Sequence, residues 1–294
     1  MTTDEKDRER RARAYQAGAR ISKDRMQREA PLDAKALERV EASDIVVVRG
    51  IYDHVEQVLD ALEMPYTPVE PEQVAALPLR PEQLLVVNCP GDRVGPEGIR
   101  RIRTFVEGGG SLFSTDWALR HVLEPSFPGL VAFNEHPTAD DVVRIEVREH
   151  DNPFLRGVVD PGEDPLWWLE GSSYPIRVLD AERVEVLIAS TELQAKYGES
   201  PVAVLFRVGQ GEVFHMVSHY YLQRTELRET RHLQPAAAYA GGKGVALDPE
   251  MAARMADLSA GEVESAGSSS RLLANWVADK KRRVTEQRRD QEGK

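Results

Sequence analysis

A chain of 294 residues with a net charge of −11 is long enough for one large domain or two small ones, each with a substantial core. No run of about 18 apolar residues is present, which excludes a transmembrane helix, and the charged first residues lead us to expect no secretory signal. Cys89 is the single cysteine, so an internal disulfide is excluded. We therefore expect a cytoplasmic protein with no membrane partner.

The charge is unevenly distributed along the chain. Residues 1–30 and residues 279–294 each carry a net charge of +3, so the body between them carries −17. An acidic body repels a phosphate backbone, and we expect no nucleic acid to bind there. The basic ends are interpreted as solvated segments, with contacts to acidic partners as the alternative.

Residues 1–42 are predicted to form a charged helical arm. The first 30 residues are rich in Arg, Glu, Asp and Ala and lack an apolar stripe wide enough for firm burial. We expect this part to be a frayed or partly disordered helix. A short helix over residues 31–42 then leads into the first strand.

The next part of the chain alternates between strand and helix patterns. Four segments are predicted to be strands: residues 45–48, 65–69, 84–87 and 111–114. The first and third are unbroken apolar runs, as strands covered on both faces require. Three segments between the strands have a helical pattern: residues 54–62, 71–77 and 96–107. This order predicts a parallel sheet with right-handed crossovers, which is a flavodoxin-like α/β fold.

From residue 125 to about residue 200 the pattern is that of a β-rich insertion. Residues 143–147 alternate between apolar and charged side chains, which predicts one strand with a wet face. Trp167 and Trp168 fall in a stretch rich in turn residues. Further strands are predicted at residues 176–179, 184–189, 202–208 and 213–218, with a tight hairpin turn at residues 209–211. The second half should extend the parallel sheet with antiparallel strands.

Residues 221–283 are expected to supply helices that pack on the same domain. Asp248 followed by proline predicts a capped helix start. The three serines at residues 268–270 predict the cap of a last helix, which would run into a charged tail over residues 284–294.

Three segments together resemble the class I glutamine amidotransferase-like fold, including trehalose-utilisation-type proteins and the N-terminal domain of biotin-protein-ligase-like proteins. Residues 86–91 resemble the strand and Pro-Gly loop that supplies oxyanion-hole amides. Residues 105–116 resemble the helix, glycine turn and nucleophile strand, and residues 197–219 resemble the hairpin that delivers the active-site histidine. The resemblance covers residues 43–220. It implies that Asp53, Gly91, Asp116 and His219 face one cleft at the carboxyl ends of the strands.

Two features depart from that family. The turn at residues 114–117 reads Ser-Thr-Asp-Trp where the family has a cysteine flanked by glycines, and Tyr220 follows His219 where the family has Pro-Glu. Without the nucleophile and the orienting glutamate, we expect no glutaminase activity. Cys89 falls in the oxyanion loop and is interpreted as a buried structural residue. A hydrolase that uses Cys89, with His219 as its base, is the alternative.

Other residues at the same sheet edge are candidates for ligand binding. Asp53 and His54 follow the first strand and could form a metal-binding set with Asp116 and His219. Their spacing matches no metal motif, so we expect no metal, and Asp53 could instead cap the helix that follows it.

Aromatic residues at this edge are further candidates. Trp117 and Tyr220 could stack on a ring-shaped ligand, although core packing would explain such residues equally well. The glycines at residues 108–110 precede a strand, whereas phosphate-binding loops lie between a strand and a helix, so no cofactor is predicted.

These observations favour a non-catalytic amidotransferase-like domain that acts as a binding or assembly module for another protein or for a second copy. One alternative is an enzyme or ligand-binding protein acting on a carbohydrate-like or other small polar substrate through Asp116 and His219. The Cys89-dependent hydrolase is the second. A filled sheet edge would favour the binding module. A deep pocket at that edge would favour the enzyme or ligand-binding protein, and a close approach of Cys89 to His219 would favour the hydrolase.

Overall fold

An eight-stranded sheet runs through the centre of the computed structural model, which describes residues 3–160, 163, 165–219 and 230–292. The spatial strand order is β2-β1-β3-β4-β12-β11-β10-β7. The strands in chain order are β1 Ile45–Val48, β2 Thr67–Val69, β3 Leu84–Val87, β4 Ser111–Thr115, β5 Val131–Phe133, β6 Asp141–Arg144, β7 Glu146–Val147, β8 Leu166–Leu169, β9 Ile176–Val178, β10 Val184–Ala189, β11 Pro201–Val208 and β12 Gly211–Met216.

Helices flank this sheet. They are α1 Thr3–Glu29, α2 Pro31–Leu37, α3 Val55–Ala61, α4 Gly95–Glu107, α5 Glu124–Ser126, α6 Thr191–Tyr197, α7 Ala236–Gly242, α8 Pro249–Arg254 and α9 Ala260–Glu292. Shorter 3₁₀ and π turns lie at Pro71–Ala76, Asp92–Val94, Leu119–Leu123 and Thr230–Leu233. Within the described ranges, no helix is long and apolar enough to cross a membrane.

The parallel half of the sheet follows from its apolar strands. All residues of β1 and β3 are buried, and the two strands pair in parallel from Ile45 with Leu84 to Val48 with Val87. Strands β4 and β12 also pair in parallel, whereas β11, β10 and β7 continue the sheet in antiparallel order. The predicted flavodoxin-like α/β fold with an antiparallel extension is therefore confirmed.

The β-rich insertion differs from the predicted elements in two places. Residues 143–147 do not form one strand, because β6 pairs with β8 in a separate two-stranded sheet and β7 joins the edge of the main sheet. Trp167 and Trp168 lie on β8 rather than in a turn. The alternating pattern was too short to reveal that the chain changes sheets at Ile145.

Helix α1 packs along α9, which differs from the frayed arm predicted for residues 1–30. Small side chains make the close approach possible: a Cβ added to Gly18 would lie 2.5 Å from the backbone nitrogen of Gly267. The Ser22 hydroxyl donates a hydrogen bond of 2.9 Å to the Gly267 carbonyl. A stripe of Ala, Gly and Ser has low hydropathy, so the sequence pattern does not mark it as an apolar face. Its small side chains nevertheless allow the two helix backbones to pack closely.

Helix α9 begins earlier than predicted. It starts at Ala260, where Ser259 and Glu262 form reciprocal hydrogen bonds of the capping-box type. The serines at residues 268–270 therefore lie inside the helix, and the helix continues to Glu292 through the predicted charged tail. The Asp248 cap was predicted correctly, since its side chain accepts a hydrogen bond from the backbone of Met251 at 2.8 Å.

Candidate functional site

The ends of three neighbouring strands bring Cys89, Asp116 and His219 together. These residues follow β3, β4 and β12, which are adjacent in the sheet. One thiol sulfur, one carboxylate oxygen and one imidazole nitrogen, from these three residues, all lie within 4.8 Å of one another. Residues separated by 130 positions in the chain thus form one cluster. These three residues and Glu170, which is bonded to His219, are called the edge cluster.

Asp116 occupies a strained position at the turn after β4. Its φ of 47° lies in the left-handed region, which is uncommon for a residue with a Cβ. Its Oδ1 accepts a hydrogen bond of 2.8 Å from the Tyr174 backbone nitrogen, and its Oδ2 accepts one of 3.3 Å from the Ser173 hydroxyl. Asp116 is only 2% exposed. Burial raises its pKa, and the neighbouring His219 opposes that rise.

His219 is held between two carboxylates. Its Nε2 lies 3.0 Å from Asp116 Oδ2, an ion-pair contact without the alignment of a directed hydrogen bond. Its Nδ1 is hydrogen-bonded to Glu170 Oε2. Burial opposes a charged imidazole, but the interactions with Asp116, Cys89 and Glu170 outweigh it and raise the pKa of His219 well above its ordinary value. His219 is therefore an imidazolium at neutral pH.

Cys89 is fully buried beside this ion pair. Its Sγ lies 3.8 Å from Asp116 Oδ2, and its proximity to His219 is what the hydrolase alternative requires. Burial raises the pKa of the Cys89 thiol to about 12, with the Asp116 charge acting in the same direction. A protonated thiol next to an imidazolium has neither a thiolate nor a free base, so the resting arrangement is not that of an activated nucleophile.

Asp53 is buried at the same edge but makes other bonds. Its Oδ2 accepts a hydrogen bond of 2.7 Å from the Thr115 hydroxyl, and its Oδ1 accepts one of 2.8 Å from the His54 backbone nitrogen. Helix α3 starts at Val55, whose backbone nitrogen instead donates a long 3.4 Å bond to Asn88. Asp53 therefore stabilises the end of β4, and the turn that follows it, through its hydrogen bond with Thr115.

His54 faces a different acidic residue. Its Nδ1 lies 3.5 Å from Glu56, and the hydrogen bond with Glu56 is the main cause that raises the pKa of His54. Asp53, His54, Asp116 and His219, which the sequence suggested as a possible metal set, therefore do not meet as one group. Among the described residues, the side chains placed to hold a metal are Cys89, Asp116 and His219.

Gly91 lies in the loop beside Cys89 with a φ of 72°. A Cβ there would meet the Val122 side chain at 2.8 Å, so glycine permits both the left-handed backbone and the close packing of this loop.

An aromatic row borders the edge cluster. The Trp117 indole donates a hydrogen bond of 2.6 Å to the Ser172 carbonyl. Its ring lies 5.3 Å from that of Tyr52 and 5.3 Å from that of Tyr174, the latter in a stacked arrangement. Through these contacts Trp117 holds residues 172–174 over the strand ends, and its ring packs against protein side chains. Tyr220, the other aromatic candidate, lies outside the described residues.

Three functional contacts were not predicted from the sequence: Glu170, Ser173 and Tyr174, all after β8. The only signal was the polar run Glu-Gly-Ser-Ser-Tyr at residues 170–174 next to two tryptophans. This segment covers the edge cluster, so the sheet edge is filled rather than open at Asp53 and Asp116.

Comparisons with known proteins give a likeness in part of the fold. No family model and no curated protein matches the chain. A putative ThuA-like protein from Bacteroides uniformis matches with a TM-score of 0.43 and 10% identity, over 61% of this chain and 83% of that one. The cytoplasmic protein STM3548 from Salmonella typhimurium matches with a TM-score of 0.42 and 12% identity, over 60% and 88%.

A much longer enzyme has a similar segment. The exo-β-1,4-mannosidase Op5Man5 from an Opitutaceae bacterium matches with a TM-score of 0.41 and 15% identity, over 60% of this chain and 31% of that one. Likeness of this degree concerns the fold and says nothing about activity.

Proposed function

We propose that this chain is a cytoplasmic, non-catalytic amidotransferase-like domain that acts as a binding or assembly module for another protein or a second copy. The observation that carries the proposal is the filled sheet edge. Asp116 stands in the turn where the resembling family has its nucleophile, and the polar groups of the edge cluster are bonded to one another beneath residues 170–174.

The electrostatics of the edge cluster support a structural role. A buried imidazolium between Asp116 and Glu170 ties β4, β12 and the segment after β8 together. Catalysis by His219 as a base would require loss of the proton that these two carboxylates stabilise. The same ion pairs hold the loops at the strand ends in place. The fixed loops then define the surface that a partner would contact.

A glutaminase assay tests the loss of catalysis. The protein and a Cys89→Ala variant are incubated with glutamine, and ammonia is measured against buffer alone. We expect both proteins to match the buffer control, because no thiolate is available at this edge. Release of ammonia that disappears in Cys89→Ala would overturn the proposal and favour the hydrolase.

A His219→Ala variant tests the structural role. Light scattering measures self-association and chemical denaturation measures the free energy of unfolding. Under the proposal the variant loses stability, because Asp116 and Glu170 are left facing each other without the cation. Unchanged stability together with lost association would instead mark His219 as a working binding or catalytic group.

An enzyme acting through Asp116 and His219 on a small polar, carbohydrate-like substrate is the second candidate. The left-handed φ of Asp116 favours it, because strained residues at strand-to-helix turns cluster at active sites. Consumption of a sugar substrate by the protein, abolished in Asp116→Asn, would favour this candidate over the module.

A further inference from the structure

A cavity of about 80 Å³ lies between the β6–β8 sheet and helix α9. Trp167 and Trp168 form its wall on the sheet, Ser265 and Ser269 contribute from α9, and Tyr239 contributes from α7. We call this space the tryptophan cavity. At roughly 10 to 15 Å³ per water-sized group, it holds about five to eight such groups, which is the size of one ring or of the inner part of a larger ligand.

The wall contains a hydrogen-bond donor that no group of the described residues accepts. The indole nitrogens of Trp167 and Trp168 are both buried and have no hydrogen-bond partner in the part of the chain that the structure describes. Trp168 as a whole is only 8% exposed. Buried Trp N–H groups ordinarily find an acceptor, because leaving one unpaired is unfavourable. Consecutive residues of a strand point to opposite faces, and Trp168 pairs with Val142, which also lines the cavity. The unpaired N–H of Trp168 therefore indicates that an acceptor-bearing molecule belongs there.

The charged groups of the wall are neutralised within the protein. Glu264 lies 3.0 Å from Arg231, and Glu163 forms an ion pair with Lys243. His219 also lines the cavity, and its charge is balanced by Asp116 and Glu170. Because these charges are paired, the cavity favours a neutral ligand over an anion or a cation.

We propose that the tryptophan cavity binds a neutral, ring-shaped small molecule with oxygen or nitrogen acceptors on its edge. The flat rings of Trp168 and Tyr239 suit the face of a ring, and the indole N–H of Trp168 suits an acceptor on its edge. A sugar and a nucleoside share this chemistry. The inference rests on the proposed function, since it gives the non-catalytic module a small ligand.

The test uses matched pairs of neutral and charged probes: D-glucose with D-glucuronate, which keeps the sugar ring, and adenosine with adenosine monophosphate. Binding to the full chain is measured by calorimetry and ligand-observed NMR up to about 10 mM, because ligands of this size with few anchoring groups bind in the millimolar to micromolar range. We expect one neutral probe to bind and its charged counterpart to bind at least about fivefold more weakly.

Two variants locate the binding to the cavity. Trp168→Phe keeps a ring but removes an N–H donor, and should weaken binding by at least about fivefold. Ser265→Leu fills the cavity from the opposite wall and should abolish binding, which keeps the test decisive if Trp168→Phe folds poorly. Tyr66 precedes β2, at the edge of the main sheet farthest from β7, and does not line the cavity. Tyr66→Phe also removes a donor and should bind as the unmodified chain does.

Several outcomes would overturn the proposal: no binding of glucose or adenosine, stronger binding of the charged partners, or equal binding by Ser265→Leu. Binding of glucose rather than adenosine identifies the ligand as a sugar, and the reverse identifies a nucleoside; either supports the site. Binding without turnover leaves the non-catalytic function intact. Chemical conversion of the bound probe would overturn that function while confirming the cavity as a ligand site.

Discussion

Two buried histidines four residues apart behave in opposite ways. His215 lies within β12, fully buried, with its Nδ1 2.9 Å from the Ser114 hydroxyl. Burial lowers its pKa to about 3, so it is neutral. His219 lies just beyond the same strand, and two carboxylates raise its pKa instead. Burial alone therefore does not decide the charge of a histidine here; the groups brought to it by other segments decide it.

The largest effect should come from removing the carboxylate that faces His219. Asp116→Asn keeps the shape of the side chain and tolerates the left-handed backbone, but it breaks a buried ion pair. We expect a loss of about 3 kcal/mol in the free energy of unfolding, measured by chemical denaturation. The exposed Asp92 serves as control, since Asp92→Asn should change stability by less than about 0.5 kcal/mol. Equal effects of the two substitutions would show that the ion pair between Asp116 and His219 contributes nothing to the free energy of unfolding.

The pH dependence of stability should reveal the neutral state of His215. Its folded pKa of about 3 lies below the unfolded value of about 6.5, so the unfolded chain binds the extra proton between these values. Stability is therefore lost as the pH falls below about 6.5, by about 2 kcal/mol at pH 5. His215→Asn should remove this part of the acid sensitivity. A stability difference between the two proteins that does not vary from pH 7 to pH 5 would refute a neutral buried His215.

The second carboxylate of His219 should matter less than the first. Glu170 is 25% exposed at its side chain, so solvent screens its interaction with the imidazolium. We expect Glu170→Gln to lower the free energy of unfolding by about 1.5 kcal/mol. A loss larger than that of Asp116→Asn would show that Glu170, not Asp116, is the principal partner of His219.

The smallest effect should come from the partner of His215. Ser114→Ala removes a neutral hydrogen bond of 2.9 Å and should cost about 1 kcal/mol, again by denaturation. Ser126 is a matched control, because it is also fully buried but its hydroxyl makes a long 3.5 Å bond to the Ile99 carbonyl. Ser126→Ala should cost less than half as much. The reverse order would mean that the Ser114 contact does not hold the ring.

The regular elements near the sheet centre were predictable from local patterns. Strands at residues 45–48 and 84–87 are unbroken apolar runs, because both faces of a central parallel strand are covered. The hairpin turn at residues 209–211 and the Asp248 cap were equally visible, since each depends on the conformational preferences of two or three adjacent residues. The approach of Asp116 to His219 was also predicted, because carboxyl ends of neighbouring strands meet at one edge.

The sequence by itself thus determined the sheet, its strand ends and the residues available there. Only the tertiary structure decided that Glu170 completes the surroundings of His219, that Cys89 stays a neutral thiol, and that Trp168 faces a cavity. These outcomes depend on a small separate sheet and on helix α9, which are distant in the chain from the residues they meet; Glu170 and His219, for example, are 49 residues apart. Local periodicity carries no information about such long-range contacts. Likewise, the packing of Gly18 against Gly267 arises from small side chains whose apolar character is too weak to mark a buried face.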